Sequence, residues 1–95
     1  MKTISTSEAP QPAGHYSQGV AHNGLVYVAG QLAIDPSSPD SPRGDATSQT
    51  HQALANVNAV LQAAGSHLGL TLQMTIYVTD VTLWPTVNEA YAKVM

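Results

Sequence analysis

The chain has 95 residues, a length that accommodates one small domain with a single hydrophobic core. It carries only three Lys or Arg against six Asp or Glu, whereas nucleic-acid binding needs clustered basic side chains, so we expect no nucleic-acid partner. The absence of cysteine excludes disulfides and thiolate chemistry. No apolar run is long enough to span a membrane, and the N-terminus is too polar and proline-rich for a signal peptide. These features predict a soluble, cytoplasmic, single-domain protein without a membrane partner.

The first third of the chain predicts three short strands. Lys2 to Ser5 gives a weak signal for an edge strand. Tyr16 to His22 and Leu25 to Gln31 flank Asn23-Gly24, a dipeptide that suits a two-residue hairpin turn with positive φ at both positions. The second hairpin strand, LVYVAGQ, is apolar on both faces, which predicts that both faces are covered. Because the helices of so short a chain cover only one face, we expect another copy of the chain on the other.

A long helix is predicted from Asp45 to Gly65. Its apolar residues recur at intervals of three and four, at Ala53, Leu54, Val57, Val60, Leu61 and Ala64. The polar residues Gln49, Gln52, Asn56 and Gln62 are expected on the opposite, solvent-facing side. Asp45 is a candidate N-cap because its carboxylate can accept from the free amides of the first turn. Gly65 is a candidate terminator because glycine enters the left-handed conformation without a steric penalty.

The last quarter predicts a strand and a second helix. Apolar and polar residues alternate from Leu70 to Asp80, which is typical of a strand with one buried face that includes Met74. Thr82 is the expected cap of the second helix, with Pro85 in its first turn and Trp84 on its buried stripe. The order is therefore β-β-β-α-β-α in one α+β domain, residues 1–95. The helical pattern runs to the last residue without a stop signal, so we expect the natural chain to continue into further strands.

Three stretches of the chain form a specific pattern: AGHYSQGVAHNGLVYVAGQLAIDP, QTHQALANVNAVLQAAG and TIYVTDVTLWPTVNEAYAKVM. This pattern resembles the RidA/YjgF family, also called the L-PSP endoribonuclease family, from about Ala9 to Met95. The resemblance implies a chorismate-mutase-like α+β fold, with a mixed sheet backed by two helices, and a homotrimer with clefts between subunits. It also implies hydrolytic deamination of reactive enamines and imines, such as 2-aminoacrylate, 2-iminopropanoate and 2-iminobutanoate, to 2-keto acids and ammonia, without metal or cofactor.

The resemblance also assigns site residues. Tyr16 matches the catalytic tyrosine of the family's cleft, and Gly30 matches a glycine whose backbone lies beside the substrate. Asn88 and Tyr91 match an asparagine and an aromatic residue of the substrate pocket. From the residues alone, a packed strand tyrosine, a strand-end bulge glycine and an ordinary helix asparagine stay open as alternatives. By the same resemblance, the family's catalytic arginine, which pairs with the substrate carboxylate, and a glutamate that helps to place the attacking water are expected beyond Met95 and have no counterpart here. Arg43 lies in a proline-rich loop and is not a candidate.

Two other functions stay open beside the deaminase. A trimer of the same family that binds small carboxylates or 2-keto acids would have the cleft but no turnover. An endoribonuclease or translation inhibitor follows from the family's older name, but RNA binding needs positive charge or aromatic platforms. The four histidines lack the spacing of metal ligands, so no metal is expected. The expected partners are a small-molecule imine or 2-keto acid and further copies of the chain.

Overall fold

The computed structural model describes all 95 residues and contains one three-stranded antiparallel sheet and two α-helices. The strands, in the sheet order β1-β2-β3, are β1 (Lys2–Ile4), β2 (Gly19–His22) and β3 (Leu25–Val28). The helices are α1 (Ala46–Ala63) and α2 (Trp84–Val94). Two short 3-10 turns lie between the helices, at Leu68–Leu70 and Val81–Leu83. The α+β class, the first three strands and both helices are confirmed.

The hairpin between β2 and β3 follows the prediction closely. Asn23 has φ 50° and Gly24 has φ 78°, the two positive values that a tight two-residue hairpin turn requires. The register pairs His22 with Leu25 next to the turn and Gly19 with Val28 at the far end. This local turn chemistry fixes which residues of β3 face α1.

Helix α1 covers one face of the sheet and forms the centre of the core with it. Val60 is fully buried in a cluster with Ile4 from β1 and Ala9 from the loop after it. Gly19 allows this close approach, because a Cβ at that position would lie 2.7 Å from a Val60 side-chain carbon. The open side of the sheet has no helix, so the side chains of Leu25 and Tyr27 are exposed.

Both predicted ends of α1 are confirmed. The Asp45 carboxylate accepts from the Ser48 backbone N–H at 2.8 Å, which satisfies one free amide of the first turn. Gly65 takes φ 83° just after the helix, and the amides of Gly65 and Ser66 donate back to the carbonyls of Gln62 and Leu61. This pattern is a Schellman motif, which satisfies two carbonyls that a helix end leaves free.

The predicted position of Asn56 on the solvent face of α1 is wrong. Asn56 is only 1% exposed, whereas Gln49 and Gln62 are exposed as expected. Its carboxamide donates to the backbone carbonyls of Leu32 and Ile34, and these bonds offset the cost of removing a polar group from water.

The strand predicted from Leu70 to Asp80 is also not formed, and the sheet is antiparallel and not mixed. No strand lies beside residues 72–79, whose backbone groups make no ladder hydrogen bonds. Met74 and Ile76 are half-buried, while Leu70, Leu72 and Val78 are exposed. An alternating sequence supplies a strand's side-chain pattern, but the strand itself requires a hydrogen-bonding neighbour.

Helix α2 begins two residues later than its predicted cap. Thr82 does not cap α2, because Asp80 accepts from the backbone N–H and the hydroxyl of Thr82 within the preceding 3-10 turn. Pro85 lies in the first turn of α2 as predicted. Trp84 is not part of the core: it is 42% exposed at the start of the helix, because α2 buries Val87 and Ala90 instead.

Neither helix has the length and hydropathy needed to cross a membrane, and the cytoplasmic location stays a prediction.

Candidate functional site

A small pocket, here called the loop pocket, lies between the N-terminal loop and the segment that follows β3. Its volume is about 120 Å³. It is lined by Pro10, Gln11, Ala13, Tyr16, Gly30, Gln31, Leu32 and Ile34. Two of the four predicted site residues, Tyr16 and Gly30, therefore lie on the same pocket, one on each of its two segments.

The N-terminal segment of the loop pocket is held by the buried side chain of Gln18. Gln18 Oε1 accepts from the Thr6 backbone N–H at 2.6 Å, and Nε2 donates to the carbonyls of Thr6, Ala9 and Pro10 at 2.9, 3.2 and 2.9 Å. The Gln18 carbonyl also accepts from Ala29 N–H at 2.9 Å, which continues the β2–β3 pairing. The loop is thus attached to the end of the hairpin.

The segment after β3 is held by Asn56 of α1. Asn56 Nδ2 donates to the carbonyls of Leu32 and Ile34, both at 2.9 Å, while Asn56 Oδ1 accepts from Gln52 Nε2 at 3.0 Å. The helix therefore fixes the path of the chain as it leaves the sheet, and with it the second side of the loop pocket.

Tyr16 lies outside the strands, because β2 begins only at Gly19. Its side chain is 53% exposed, so it is not the packed strand aromatic that the sequence left open as an alternative. The Ala13 backbone N–H donates to the Tyr16 hydroxyl across 3.4 Å, which is long for a hydrogen bond. The hydroxyl keeps its own proton available to a ligand in the pocket.

Gly30 is exposed and lines the loop pocket, and the folded chain itself does not require a glycine at this position. Its φ is not positive, and a Cβ at this position would meet no atom within 4 Å. Neither backbone strain nor crowding within the chain explains the glycine at this position.

A second concavity, here called the long groove, opens beside the loop pocket with a volume of about 1340 Å³. It runs between β3, α1 and residues 70–79, and Gly30, Gln31 and Leu32 line both it and the loop pocket. Tyr91 of α2 also lines the long groove. Asn88 is exposed on α2 and lines neither concavity. The roles of all four predicted site residues stay predictions.

The loop pocket offers hydrogen bonds but no charge. Its polar side chains are the Tyr16 hydroxyl and the carboxamides of Gln11 and Gln31, and neither concavity is lined by Lys, Arg, Asp or Glu. Arg43 is absent from both linings, in agreement with its exclusion as a catalytic candidate. The arrangement can hold and orient a small polar ligand, and a cation for a carboxylate has to come from outside these linings.

Gln18 and Asn56 were not predicted from the sequence to be structural elements of the site. A signal for Asn56 was present, because it lies three residues after Ala53 and four before Val60, on the apolar stripe of α1. No periodic pattern surrounds Gln18, whose carboxamide is buried by a loop and not by a regular element. Side-chain bonds to loop carbonyls leave no period in a sequence.

Comparison with known proteins gives matches along nearly the whole chain. The family model described as Endoribonuclease L-PSP matches residues 6–95. A RutC family protein from Pyrococcus horikoshii is 38% identical over 92 residues, which are 97% of this chain and 73% of that protein. The rat protein named 2-iminobutanoate/2-iminopropanoate deaminase is 40% identical over 90 residues, 95% of this chain and 66% of the rat protein.

Solved structures agree with these sequence matches. E. coli TdcF with bound serine superposes with a TM-score of 0.94 at 35% identity, over 99% of this chain and 73% of TdcF. RidA from an Antarctic Psychrobacter superposes with a TM-score of 0.93 at 32% identity, over 100% of this chain and 76% of that one. With the three segments of the sequence pattern, the matched length and the shared fold in agreement, the chain belongs to the endoribonuclease L-PSP family, the family of RidA and YjgF.

Proposed function

We propose that this protein deaminates small enamines and imines, the class of 2-iminopropanoate and 2-iminobutanoate, in the loop pocket. The observation that carries the proposal is the 40% identity over 95% of the chain to a protein named for this activity. The loop pocket supports it, because Tyr16 and Gly30 lie on one small cavity without intrachain crowding at Gly30. A cavity of about 120 Å³ suits a ligand the size of a small amino acid.

The reaction needs water, a proton donor and an enclosed site. Water adds to the imine carbon, the C–N bond of the resulting carbinolamine breaks, and the products are ammonia and the 2-keto acid. We expect the Tyr16 hydroxyl, which lines the loop pocket, to donate a hydrogen bond that orients the water or the imine nitrogen. Exclusion of bulk water protects the intermediate from side reactions. The substrate carboxylate requires a cation from outside the pocket lining.

The proposed active assembly is a homotrimer, as the family resemblance implies. The uncovered face of the sheet supports association between copies, because Leu25 and Tyr27 project from it into solvent. Leu32 and Tyr16, at the rim of the loop pocket, are also exposed. A neighbouring copy that covered this region would close the pocket and exclude water from it.

The test compares two glycine substitutions in a deaminase assay on 2-aminoacrylate generated in situ. Gly30→Ala adds a methyl group in open space, so we expect unchanged stability and a loss of ammonia release of roughly tenfold or more, because the methyl obstructs the ligand. Gly24→Ala is the matched control. Because Gly24 has φ 78°, an alanine there should lower the free energy of unfolding by about 1–2 kcal/mol. The control should retain the wild-type rate in its folded fraction. A wild-type rate no higher than the buffer background refutes the proposal.

A second candidate is a binding protein without turnover. The loop pocket has no charged lining residue, and the TdcF structure that this chain resembles contains serine. Calorimetry with serine and pyruvate distinguishes the two: binding of either without ammonia release favours the binding protein. An endoribonuclease is disfavoured, because neither concavity presents a Lys or Arg to a phosphate backbone.

A further inference from the structure

We propose that Gln18 and Asn56 are positioning residues that set the width of the loop pocket, each by holding one of its two walls. The identity of the ligand rests on the proposed function, whereas the control of the pocket width rests only on the geometry of this chain. Neither carboxamide lines the pocket, so both act through the backbone of the residues that do.

The two walls are separate stretches of chain. One consists of residues 10–16 in the N-terminal loop and the other of residues 30–34 after β3, and together they supply every lining residue. Neither stretch belongs to a helix or a strand. Without a backbone ladder or helix of their own, the walls depend on side-chain bonds for their position.

The first wall is held by Gln18, which is 1% exposed. Its Nε2 carries two hydrogens directed at a group of three carbonyls, those of Thr6, Ala9 and Pro10, and Pro10 is itself a lining residue. Its Oε1 accepts from Thr6 N–H, so the amide is bonded at both ends and has one orientation. Gln18→Glu would place a carboxylate oxygen against these carbonyls and repel the wall.

The second wall is held by Asn56, also 1% exposed. Both hydrogens of Nδ2 go to carbonyls of lining residues, Leu32 and Ile34, and Gln52 fixes the amide from its oxygen side. Asn56→Asp keeps the shape and the acceptor for Gln52 but removes both donors to the wall. The carbonyls of Leu32 and Ile34 belong to residues outside the core cluster of Ile4, Ala9 and Val60. The bonds from Asn56 therefore position the pocket more directly than they support that core.

The experiment measures the walls and the ligand separately in Asn56→Asp and Gln18→Glu. Backbone amide shifts and hydrogen exchange by NMR, without ligand, should change at residues 30–34 in the first variant and at residues 6–16 in the second. Titration with pyruvate should show a loss of affinity of roughly tenfold in either folded variant, since small misplacement of contacting groups is costly. If Asn56→Asp does not fold, Gln52→Ala, which removes only the bond to Asn56 Oδ1, should give the same pattern of shifts at smaller amplitude.

Matched controls make the same chemical changes elsewhere. Asn58 lies on the same helix, but only its Oδ1 forms a hydrogen bond, which it accepts from Leu68 N–H. Asn58→Asp keeps this acceptor, so the bond survives and neither wall should move. Gln49→Glu removes one exposed bond to the Gly44 carbonyl and should also leave both walls in place.

The outcomes separate this inference from the proposed function. If the wild type shows neither pyruvate binding nor turnover while the shifts follow the walls, the proposed ligand is wrong and the positioning role stands. If the wild type binds pyruvate and the variants bind it equally well, or if each variant perturbs both walls alike, the positioning role is wrong. An affinity loss that only matches the unfolded fraction also refutes it.

Discussion

Gly19 determines how closely α1 approaches the sheet. A Cβ there would lie 2.7 Å from Val60 Cγ1 and 3.2 Å from the Tyr27 carbonyl oxygen, so the fully buried Val60 side chain would have to shift within the core. We expect Gly19→Ala to lower the free energy of unfolding by about 1–3 kcal/mol, the usual cost of overpacking. Urea unfolding measures this change.

The control for Gly19→Ala is Gly14→Ala. Its Cβ would meet the Tyr16 ring at 3.6 Å, an ordinary contact on the surface, so its effect on stability should stay within about 0.5 kcal/mol. Equal effects of the two alanines would show that the distance between sheet and helix adjusts without cost.

Individual residues were predictable from the sequence where their role is local. Asp45 and Gly65 were identified because a cap depends only on its own helix end, and Asn23-Gly24 because a turn depends on two dihedral pairs. Asn56 was assigned to the wrong face because its partners, the carbonyls of Leu32 and Ile34, are more than twenty residues away in the chain. The apolar residues three positions before and four after Asn56 indicated that it lies on the buried stripe, but nothing in the sequence identified those distant carbonyls as its partners.

At the scale of the element, α1 depends on its N-terminal cap in a pH-dependent way. The backbone N–H of Ser48 donates to the Asp45 carboxylate and lowers its pKa below the usual value of 3.8. The folded chain therefore holds this proton less tightly than the unfolded chain does. The stabilisation is complete above the unfolded pKa and is lost as the pH falls through the lower, folded pKa.

Asp45→Asn tests this dependence. Asparagine also caps helices but does not titrate, so we expect near wild-type stability at neutral pH and a smaller loss of stability below about pH 4. Melting temperatures at a series of pH values from neutral to strongly acidic measure the difference. Asp35 and Asp80 titrate in the same direction, because hydrogen bonds from Ser37 and Thr82 lower their pKa values, so part of the acid sensitivity should remain in the variant.

Elements were predictable to the extent that they are self-contained. Both helices and the hairpin form within single stretches of the chain, and their positions follow from sequence period and turn residues. The stretch from Leu70 to Asp80 has the alternation of a strand but forms none, because a ladder needs a second strand at its side. The sequence pattern describes only one of the two participants in such a ladder.

For the whole molecule, the uncovered face of the sheet leads to a prediction about association. Tyr27 is 57% exposed in the middle of β3, between the exposed Leu25 and the loop pocket. Tyr27→Glu would place a charge on this apolar face, so we expect it to shift the protein toward a monomer in analytical ultracentrifugation. Val81→Glu, at an exposed position on a 3-10 turn away from the sheet, should leave the oligomeric state unchanged. A wild-type protein that is a monomer at micromolar concentration would refute the proposed trimer.

The unpaired stretch from Leu72 to Thr79 also bears on how the molecule is degraded. A protease binds its substrate as an extended strand and completes a backbone ladder with it, so a bound segment must have free amides and carbonyls. Residues 10–16 and 30–34 also lack a backbone ladder, but side-chain hydrogen bonds hold them, whereas the backbone of residues 72–79 has neither kind of bond. Tyr77, 92% exposed, supplies an accessible aromatic side chain within it. Limited digestion should therefore separate α1 from α2 before either helix unfolds.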